Sequence, residues 1–381
     1  MIPFNYITSG QSHGKGLVVV ISNVPAGVRI DDDYINFQLS RRQRGYGRGG
    51  RMSIEKDEIE IIGGIINGET TGSPISLVIK NKDYENWKNK EVEPVTRPRP
   101  SHADLVGGIK YRRRDLRDVL ERSSARETAI RVAGGAIARK ILEDIGIKIG
   151  SFVDLIGGIE CRVEHFSFSV EEIQKITDES PFRLLDRSKE DKIKELVDKA
   201  KIEGDTLGGS FTVVIDNVPV GIGSFTIPEY KLDANIAFSM LSIQAIKSIE
   251  FGIGYEYGYK SGKYVHDQIF YNNDKGFYRK TNYAGGIEGG MANGQRIYFR
   301  CYMKPIPTLM SPLLSVDIDT KESFEAIKER SDIMAVPAAS VVAENVVAID
   351  ILRAIMYRYG FDHIEIIKDG IKNDFRRFEW L

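Results

Sequence analysis

The sequence predicts an α+β fold with an internally duplicated core, in which long apolar helices pack between two antiparallel sheets. Three observations predict it. A strand-and-turn segment occurs twice, Val19-Val-Ile-Ser-Asn-Val-Pro-Ala-Gly27 and Val213-Val-Ile-Asp-Asn-Val-Pro-Val-Gly221. A glycine pattern also occurs twice without gaps, Gly63-Gly-Ile-x-x-Gly68-x-x-x-Gly72 and Gly285-Gly-Ile-x-x-Gly290-x-x-x-Gly294. Each half then carries a long, mainly apolar helical segment. Two repeats in the same order argue for related halves at about 1–150 and 205–381 of a single domain.

Taken in order, each half reads as a β-strand ending in an Asn-Val-Pro-x-Gly turn, then mixed segments, a glycine-rich strand pair and a long helix. The glycine patterns run into the strand-like segments Ile75–Ile79 and Ile297–Tyr302. The first long helix is expected over Ser123–Ile141, with Ala129, Val132, Ala133, Ala136, Ile137 and Ile141 on one side. Gly134-Gly135 costs it about 1 kcal/mol per glycine in helix propensity, which close helix packing would offset. The second, Ala338–Tyr359, is nearly apolar all round, as a buried helix is, and stops at Gly360. Between the halves lies a charged, peripheral insert at about 160–205. It holds an amphipathic surface helix, Ser188–Ile202, with a Ser188-x-x-Asp191 start and Ile193, Leu196, Val197 and Ala200 inward.

A chain of 381 residues buries a large core, and 42% hydrophobic with 28% charged residues is ordinary globular composition. The net charge of −1 supplies no global field for nucleic acid or an anionic membrane. The arginines are nevertheless clustered. Arg41, Arg42, Arg44, Arg48 and Arg51 fall in one stretch without an acid, and residues 97–131 add nine arginines and one lysine. Locally basic and globally neutral points to a compact anion site. Cys161 and Cys301 make no disulfide framework, and the start of the chain lacks a signal-peptide pattern, so the cytoplasm is expected. The longest aliphatic runs are too short to span a bilayer. The dispersed histidines and the absence of Cys-x-x-Cys spacing give no metal site. There is no P-loop and no proper dinucleotide fingerprint.

Five constellations carry chemistry. In Gly10-Gln-Ser-His-Gly-Lys-Gly16, glycines around Ser12 and His13 let backbone approach a ligand and present the imidazole at a strand edge; a surface loop is the plainer reading. In Arg97-Pro-Arg-Pro-Ser-His-Ala-Asp104, two prolines stiffen a loop presenting Arg97, Arg99 and His102, or simply make a rigid turn. In Arg122-Ser-Ser-Ala-Arg-Glu-Thr128, Ser124-x-x-Glu127 is a capping box. The same helix start, with Arg122 and Arg126, also offers N–H groups and positive potential to a phosphate. The stretch Arg41–Arg51 favours bidentate recognition of carboxylate or phosphate, with a solvated loop or an RNA contact as alternatives. Arg330-Ser-Asp332 precedes the buried helix containing Glu344, where Asp332 either caps a turn or joins a shared site.

In order, these constellations resemble the signatures of the chorismate synthase family, of the monofunctional bacterial type. They are Gly10-Gln-Ser-His-Gly14 with Val-Pro-Ala-Gly27, Arg122-Ser-Ser-Ala-Arg-Glu-Thr128 with Val132 and Gly135, and Arg330-Ser-Asp332 with Glu344. Between them Arg97-Pro-x-Pro-Ser-His-Ala-Asp104, Asn282-Tyr-Ala-Gly-Gly-Ile287 and Lys304-Pro-x-Pro-Thr308 also look like family motifs. The resemblance runs from about residue 5 to residue 350. It implies a homotetramer of β-α-β sandwich subunits and a carbon–oxygen lyase that converts 5-enolpyruvylshikimate 3-phosphate to chorismate. It also implies reduced FMN as cofactor without net redox change, NADPH only as reductant of the flavin, and a separate flavin reductase. By position, His13 resembles the histidine that protonates the reduced flavin, and His102 the one that delivers a proton to the departing phosphate. Asp332 matches the aspartate of a proton relay, with Ser12 and Ser124 positioning it. Arg42 and Arg48 fall where the family binds the substrate or nicotinamide phosphate. Cofactor contacts map to Arg122, Ser123, Ser124, Gln244, Ala245, Gly289, Lys304, Pro305, Ile306, Pro307, Thr308 and Arg330. Gln11, Gln43-Arg44, Ser331 and Ala338 depart from the common family pattern.

Overall fold

The computed structural model describes residues 2–49, 56–88, 92–274, 276–329 and 332–377. Burial alternates along Gly16–Ser22, whose one face points to the core, but is continuous from Ser210 to Ile215, where both faces are covered. Asn5–Gly10, Gly16–Ser22, Ile75–Lys80 and Ile59–Gly63 hydrogen-bond in that spatial order into an antiparallel sheet. A second antiparallel sheet places Lys148–Ile156, Gly209–Asp216, Ile297–Met303 and Ile246–Phe251 in the same order, with the short strand Ile159–Glu160 outside Lys148–Ile156. Each Val-Val-Ile repeat is thus the second strand of its sheet, and each segment after the glycine repeat is the third.

The turns correspond at the level of backbone angles. Asn23 and Asn217 have φ of 58° and 67°, and Gly27 and Gly221 have 82° and 80°. Asparagine is among the few side chains that enter the left-handed region readily, which accounts for its place before Val-Pro in both halves.

The first long helix, Thr128–Asp144, packs on the first sheet, and the second, Val336–Tyr359, packs on the second sheet and on the first helix. The layers therefore run sheet, helix, helix, sheet, as the sequence predicts. Gly134 and Gly135 face different neighbours. A Cβ on Gly134 would meet Val19 and Ile21 of the first sheet at 3.4 and 3.6 Å. A Cβ on Gly135 would stand 2.2 Å from the carbonyl oxygen of Asn345 in the second helix. The helix crossing is therefore close enough to exclude any side chain at Gly135.

Two expectations change. The first long helix starts at Thr128, not at Ser123: Arg117–Ser123 is a separate helix, the chain breaks at Ser124, and Ala125–Glu127 forms a 3-10 turn. The capping box does not close. Ser124 Oγ accepts the Arg126 N–H at 3.2 Å, but the Glu127 carboxylate is taken by the Thr8 hydroxyl at 2.9 Å. Likewise Asp186, not Ser188, caps the turn before the helix Glu190–Glu203.

The segment at 160–205 is not peripheral throughout. Its helix Val170–Glu179 covers the outer face of the second sheet, where Val170 and Ile173 pack with Phe152 and Val214. Phe182 and Leu184 enter the main core, and buried Arg183 reaches Glu344 in the second long helix. Among the described residues, no helix is long and apolar enough to cross a membrane. Cys161 and Cys301 are buried free thiols.

Candidate active site

The loop after Asn5–Gly10 is held from three sides. Buried Ser12 donates its backbone N–H to the Glu121 carbonyl at 3.0 Å, and its hydroxyl lies 3.3 Å from that of Ser124. Asn81, directly after the strand Ile75–Lys80, donates its side-chain N–H to the carbonyls of Gln11, Ser12 and Gly14. His13 meets the Glu121 carboxylate twice: its backbone N–H donates to Oε2 and its ring Nδ1 lies on Oε1, both at 2.7 Å. The Trp87 ring lies 4.2 Å from the imidazole, centre to centre. An open cleft of about 630 Å³ runs along the outer side of this loop, lined by Gly10, Gln11, Lys15, Tyr84 and Arg122.

Behind the loop lie three guanidiniums. Arg126 donates to Asn81 Oδ1 at 2.9 and 3.2 Å and to Asp57 at 2.5 Å. Arg42 donates to the Thr128 hydroxyl at 2.9 Å and the Ala125 carbonyl at 3.2 Å, and its Nη1 stands 3.5 Å from Asp57, with no hydrogen-bond partner among the described residues. Arg48 pairs with Asp332 at 2.8 Å, and Asp332 also accepts the Gly49 N–H at 2.6 Å. Burial first, then the charges of Arg48 and Arg126, push Arg42 down to about 10, against the pull of Asp57 and Asp332. The predicted Ser12, Ser124, Arg42, Arg48 and Asp332 thus meet where the starts of the two long helices converge.

The second Ser-His loop forms its own network. Asp104 accepts His102 Nδ1 at 2.6 Å together with the Arg99 backbone N–H, Nε and Nη2. Burial alone would raise the Asp104 carboxyl, but the His102 and Arg99 hydrogen bonds outweigh it and hold it well below the usual carboxylate range. Arg99 also donates to the Thr308 hydroxyl at 2.8 Å, and Lys304 donates to the carbonyl of Ser101. This joins Arg97–Asp104 to Lys304–Thr308. Pro305 packs on Gly208, and the Ile306 carbonyl accepts the Thr206 hydroxyl, while Pro307 continues the run. The helix Arg117–Ser123 links the two loops. Glu121 holds His13, and Arg117 pairs with Glu329, which also faces Arg99.

Of the remaining predicted contacts, Arg122 donates to the Thr8 carbonyl and hydroxyl, and Gln244 to Glu127. Ala245 adopts φ 68° and accepts the Lys304 N–H. Among the described residues, no contact ties Gly289 to this cluster. It turns the hairpin between Ile287–Glu288 and Met291–Ala292, with φ 60°. Arg330, Ser331 and Arg51 lie outside the described residues. Sequence reasoning missed Glu121, Asn81, Asp57 and Trp87. Glu121 directly precedes Arg122-Ser-Ser, but no motif marks it; the others are single polar or aromatic residues near strand and helix ends.

Arg41 belongs elsewhere. It turns into the core and grips Glu344 at 2.5 and 3.2 Å, beside Arg139 at 2.5 Å and Arg183 at 3.0 Å. Arg41 and Arg42 are both buried, so neither is presented at the surface of this stretch, whereas Arg44 is exposed.

Residues 4–356 match the family model described as chorismate synthase. The chain is 51% identical over 379 residues to a protein named chorismate synthase from Geobacillus thermodenitrificans, covering 96% of this chain and 97% of that one. It is 50% identical over 381 residues to one of the same name from Bacillus pumilus, with the same shares covered. A solved structure described as the crystal structure of chorismate synthase superposes with a TM-score of 0.79 at 38% identity, covering 98% of both chains. Paired Ser-His loops, carboxylate-held imidazoles and a buried arginine cluster thus occur in a chain whose whole length follows one kind of lyase: it belongs to the chorismate synthase family.

Proposed function

We propose that the chain converts 5-enolpyruvylshikimate 3-phosphate to chorismate by anti-1,4-elimination of phosphate, using reduced FMN with no net redox change. The observation that carries this reading is Arg42: buried beside Arg48 and Arg126, with Nη1 3.5 Å from Asp57 and without a hydrogen-bond partner among the described residues, it gains from an anion brought beside it. A substrate with one phosphate and two carboxylates supplies that charge. Arg42, Arg48 and Arg126 bind and orient it. His102, steadied by Asp104 and Arg99, holds a proton for the departing phosphate oxygen, and Asp332 serves as the carboxylate of a relay with Ser12 and Ser124.

The cofactor is consistent with polar atoms left over at the predicted contacts. Ser123 Oγ and Gln244 Oε1 are both buried without a hydrogen-bond partner among the described residues. Together with Arg122, Ala245 and Lys304–Thr308 they would hold FMN. When bound, reduced flavin supplies a transient electron and accepts a proton, chemistry that side chains perform poorly at an unactivated C–H bond. NADPH enters only as reductant of the flavin, through a separate reductase, and the buried free thiols suit a cytoplasmic enzyme.

A homotetramer is supported by the contrast between the two sheets. Val214 is covered by the helix Val170–Glu179, but its repeat counterpart Val20 lies opposite Ile7, and both are exposed. Light scattering should give four chains per particle, and a monomer would remove this part of the reading.

The decisive assay is anaerobic phosphate release with substrate and chemically reduced FMN. Phosphate and chorismate should appear together, and only with reduced flavin. Folded protein that releases neither would overturn the proposal.

A further inference from the structure

Glu121 is 12% exposed at its side chain, on the last turn of the helix Arg117–Ser123, and both its oxygens are spent on one residue. Oε2 accepts the backbone N–H of His13 and Oε1 faces ring Nδ1, each at 2.7 Å. Because an ionised carboxylate is an acceptor only, the second contact requires a proton on Nδ1. The carboxylate stays ionised. Burial works to raise it, but the ring and backbone hydrogen bonds from His13, with Arg117 behind them, bring it below its ordinary value. Trp87 backs the ring at 4.2 Å and is itself anchored through its indole N–H to Asp83 at 2.7 Å. The second Ser-His loop repeats the device from a different carboxylate, with Asp104 on His102 Nδ1 at 2.6 Å.

We infer that Glu121 is a positioning residue: it fixes the His13 ring in the Nδ1–H form and so makes Nε2 the nitrogen through which His13 exchanges protons in the reaction. This rests on the reaction proposed above. With Nδ1 committed to Glu121 in both charge states, the proton that comes and goes is the one on Nε2, and the ring cannot turn over without breaking its bond to Glu121. A carboxylate is needed there, because both groups it meets are donors. Glutamine would offer one acceptor and one donor to two donors, and aspartate keeps the charge on a shorter arm.

The test combines ring tautomer with turnover. The nitrogen resonances of 15N-histidine-labelled protein, with His13 assigned from its loss in His13→Asn, report the tautomer when the rings are neutral. Wild type should show His13 in the Nδ1–H form. Glu121→Ala should move it toward the Nε2–H form that an unconstrained histidine side chain prefers. The same variant should lower kcat about 10- to 100-fold, by analogy with other histidine-orienting carboxylates, while KM stays within about threefold. Glu121→Asp should restore part of both. If the alanine variant does not fold, the isosteric Glu121→Gln carries the same two measurements, with changes in the same direction. Wild-type kcat in these variants, or a lost kcat with the His13 tautomer unchanged, overturns the inference and leaves Glu121 as a clamp on the loop. The parent reading fails differently: wild type that releases no phosphate with reduced FMN sinks the reaction, while a tautomer change on substitution still supports the positioning role.

Discussion

Arg41 and Arg42 leave the helix Asp32–Gln43 in different directions, and the surroundings they reach are balanced differently. Arg41 meets Glu344 and Asp178; Glu344 in turn takes Arg139, Arg183 and the Ser151 hydroxyl. Burial would raise the Glu344 carboxyl, but Arg41, Arg139 and Arg183 outweigh it and hold it far below the usual range. Arg42 has the opposite outcome. Burial and neighbouring guanidiniums dominate and its own charge becomes harder to keep. Burial of an arginine is therefore a poor guide to its role. Arg183 is lowered too, by burial and by Arg41, so the clusters differ in their carboxylates. Glu344 takes three guanidiniums at hydrogen-bond distance, whereas Arg42 Nη1 stands 3.5 Å from Asp57.

Removing Glu344 gives the largest expected effect. Glu344→Gln leaves three guanidiniums around a neutral amide and should cost about 3–5 kcal/mol in urea unfolding. Its carboxyl is lowered in the folded state, so its contribution is present above the unfolded value near 4 and fades as pH falls through the lower folded value. Acid should therefore narrow the gap between variant and wild type. A variant as stable as wild type at pH 7 would erase the distinction between the clusters.

Arg48→Met should act on binding. Substrate KM should rise about 30-fold or more, with a smaller loss in unfolding than Glu344→Gln shows, since Arg48 and Asp332 are less completely buried than Glu344 and its partners. A stability loss like that of Glu344→Gln would move Arg48 into the structural class.

Asp350 sharpens the comparison because it lies on the same helix as Glu344. Its Oδ1 accepts from Ser239 at 2.9 Å and stands 4.0 Å from Arg353, Oδ2 has no partner among the described residues, and burial raises its carboxyl to about 7. For an acid raised on folding, the cost is absent below the unfolded value near 4, grows with pH and is complete above about 7. Asp350→Asn should therefore add about 1–3 kcal/mol at pH 8 and nothing at pH 4. A gain that does not depend on pH would point to packing instead of charge.

The smallest effect is that of salt. Raising ionic strength from about 0.05 to 0.3 M should raise substrate KM two- to fivefold or thereabouts by screening, and leave the urea midpoint nearly unchanged. Equal sensitivity of both would show the two clusters to be equally open to solvent.

What could be read from the chain follows the range of the forces involved. Asn23, Asn217 and the repeated glycines answer local backbone needs, so the repeated strands and turns were readable, though their spatial order was not. Gly134-Gly135 announced a close crossing for the same reason. The Ser124-x-x-Glu127 box misled because Thr8, far back in the chain, competes for Glu127. Glu121, Asn81 and Asp57 gained their roles from partners brought near only by folding. Arg183 looked like part of a solvated insert until Glu344 supplied its countercharge. Side chains that answer to distant partners leave no spacing behind in the sequence.

The bare backbone at Gly135 has a mechanical consequence. The residues that bring Ser124 and Arg126 to the cluster precede one helix, and Asp332 precedes the other; the two helices touch where Gly135 meets Asn345, a few turns inward. That contact acts as the fulcrum of a pair of tongs. A single added methyl group there would spread the handles, and with them the jaws that carry Ser124, Arg126 and Asp332.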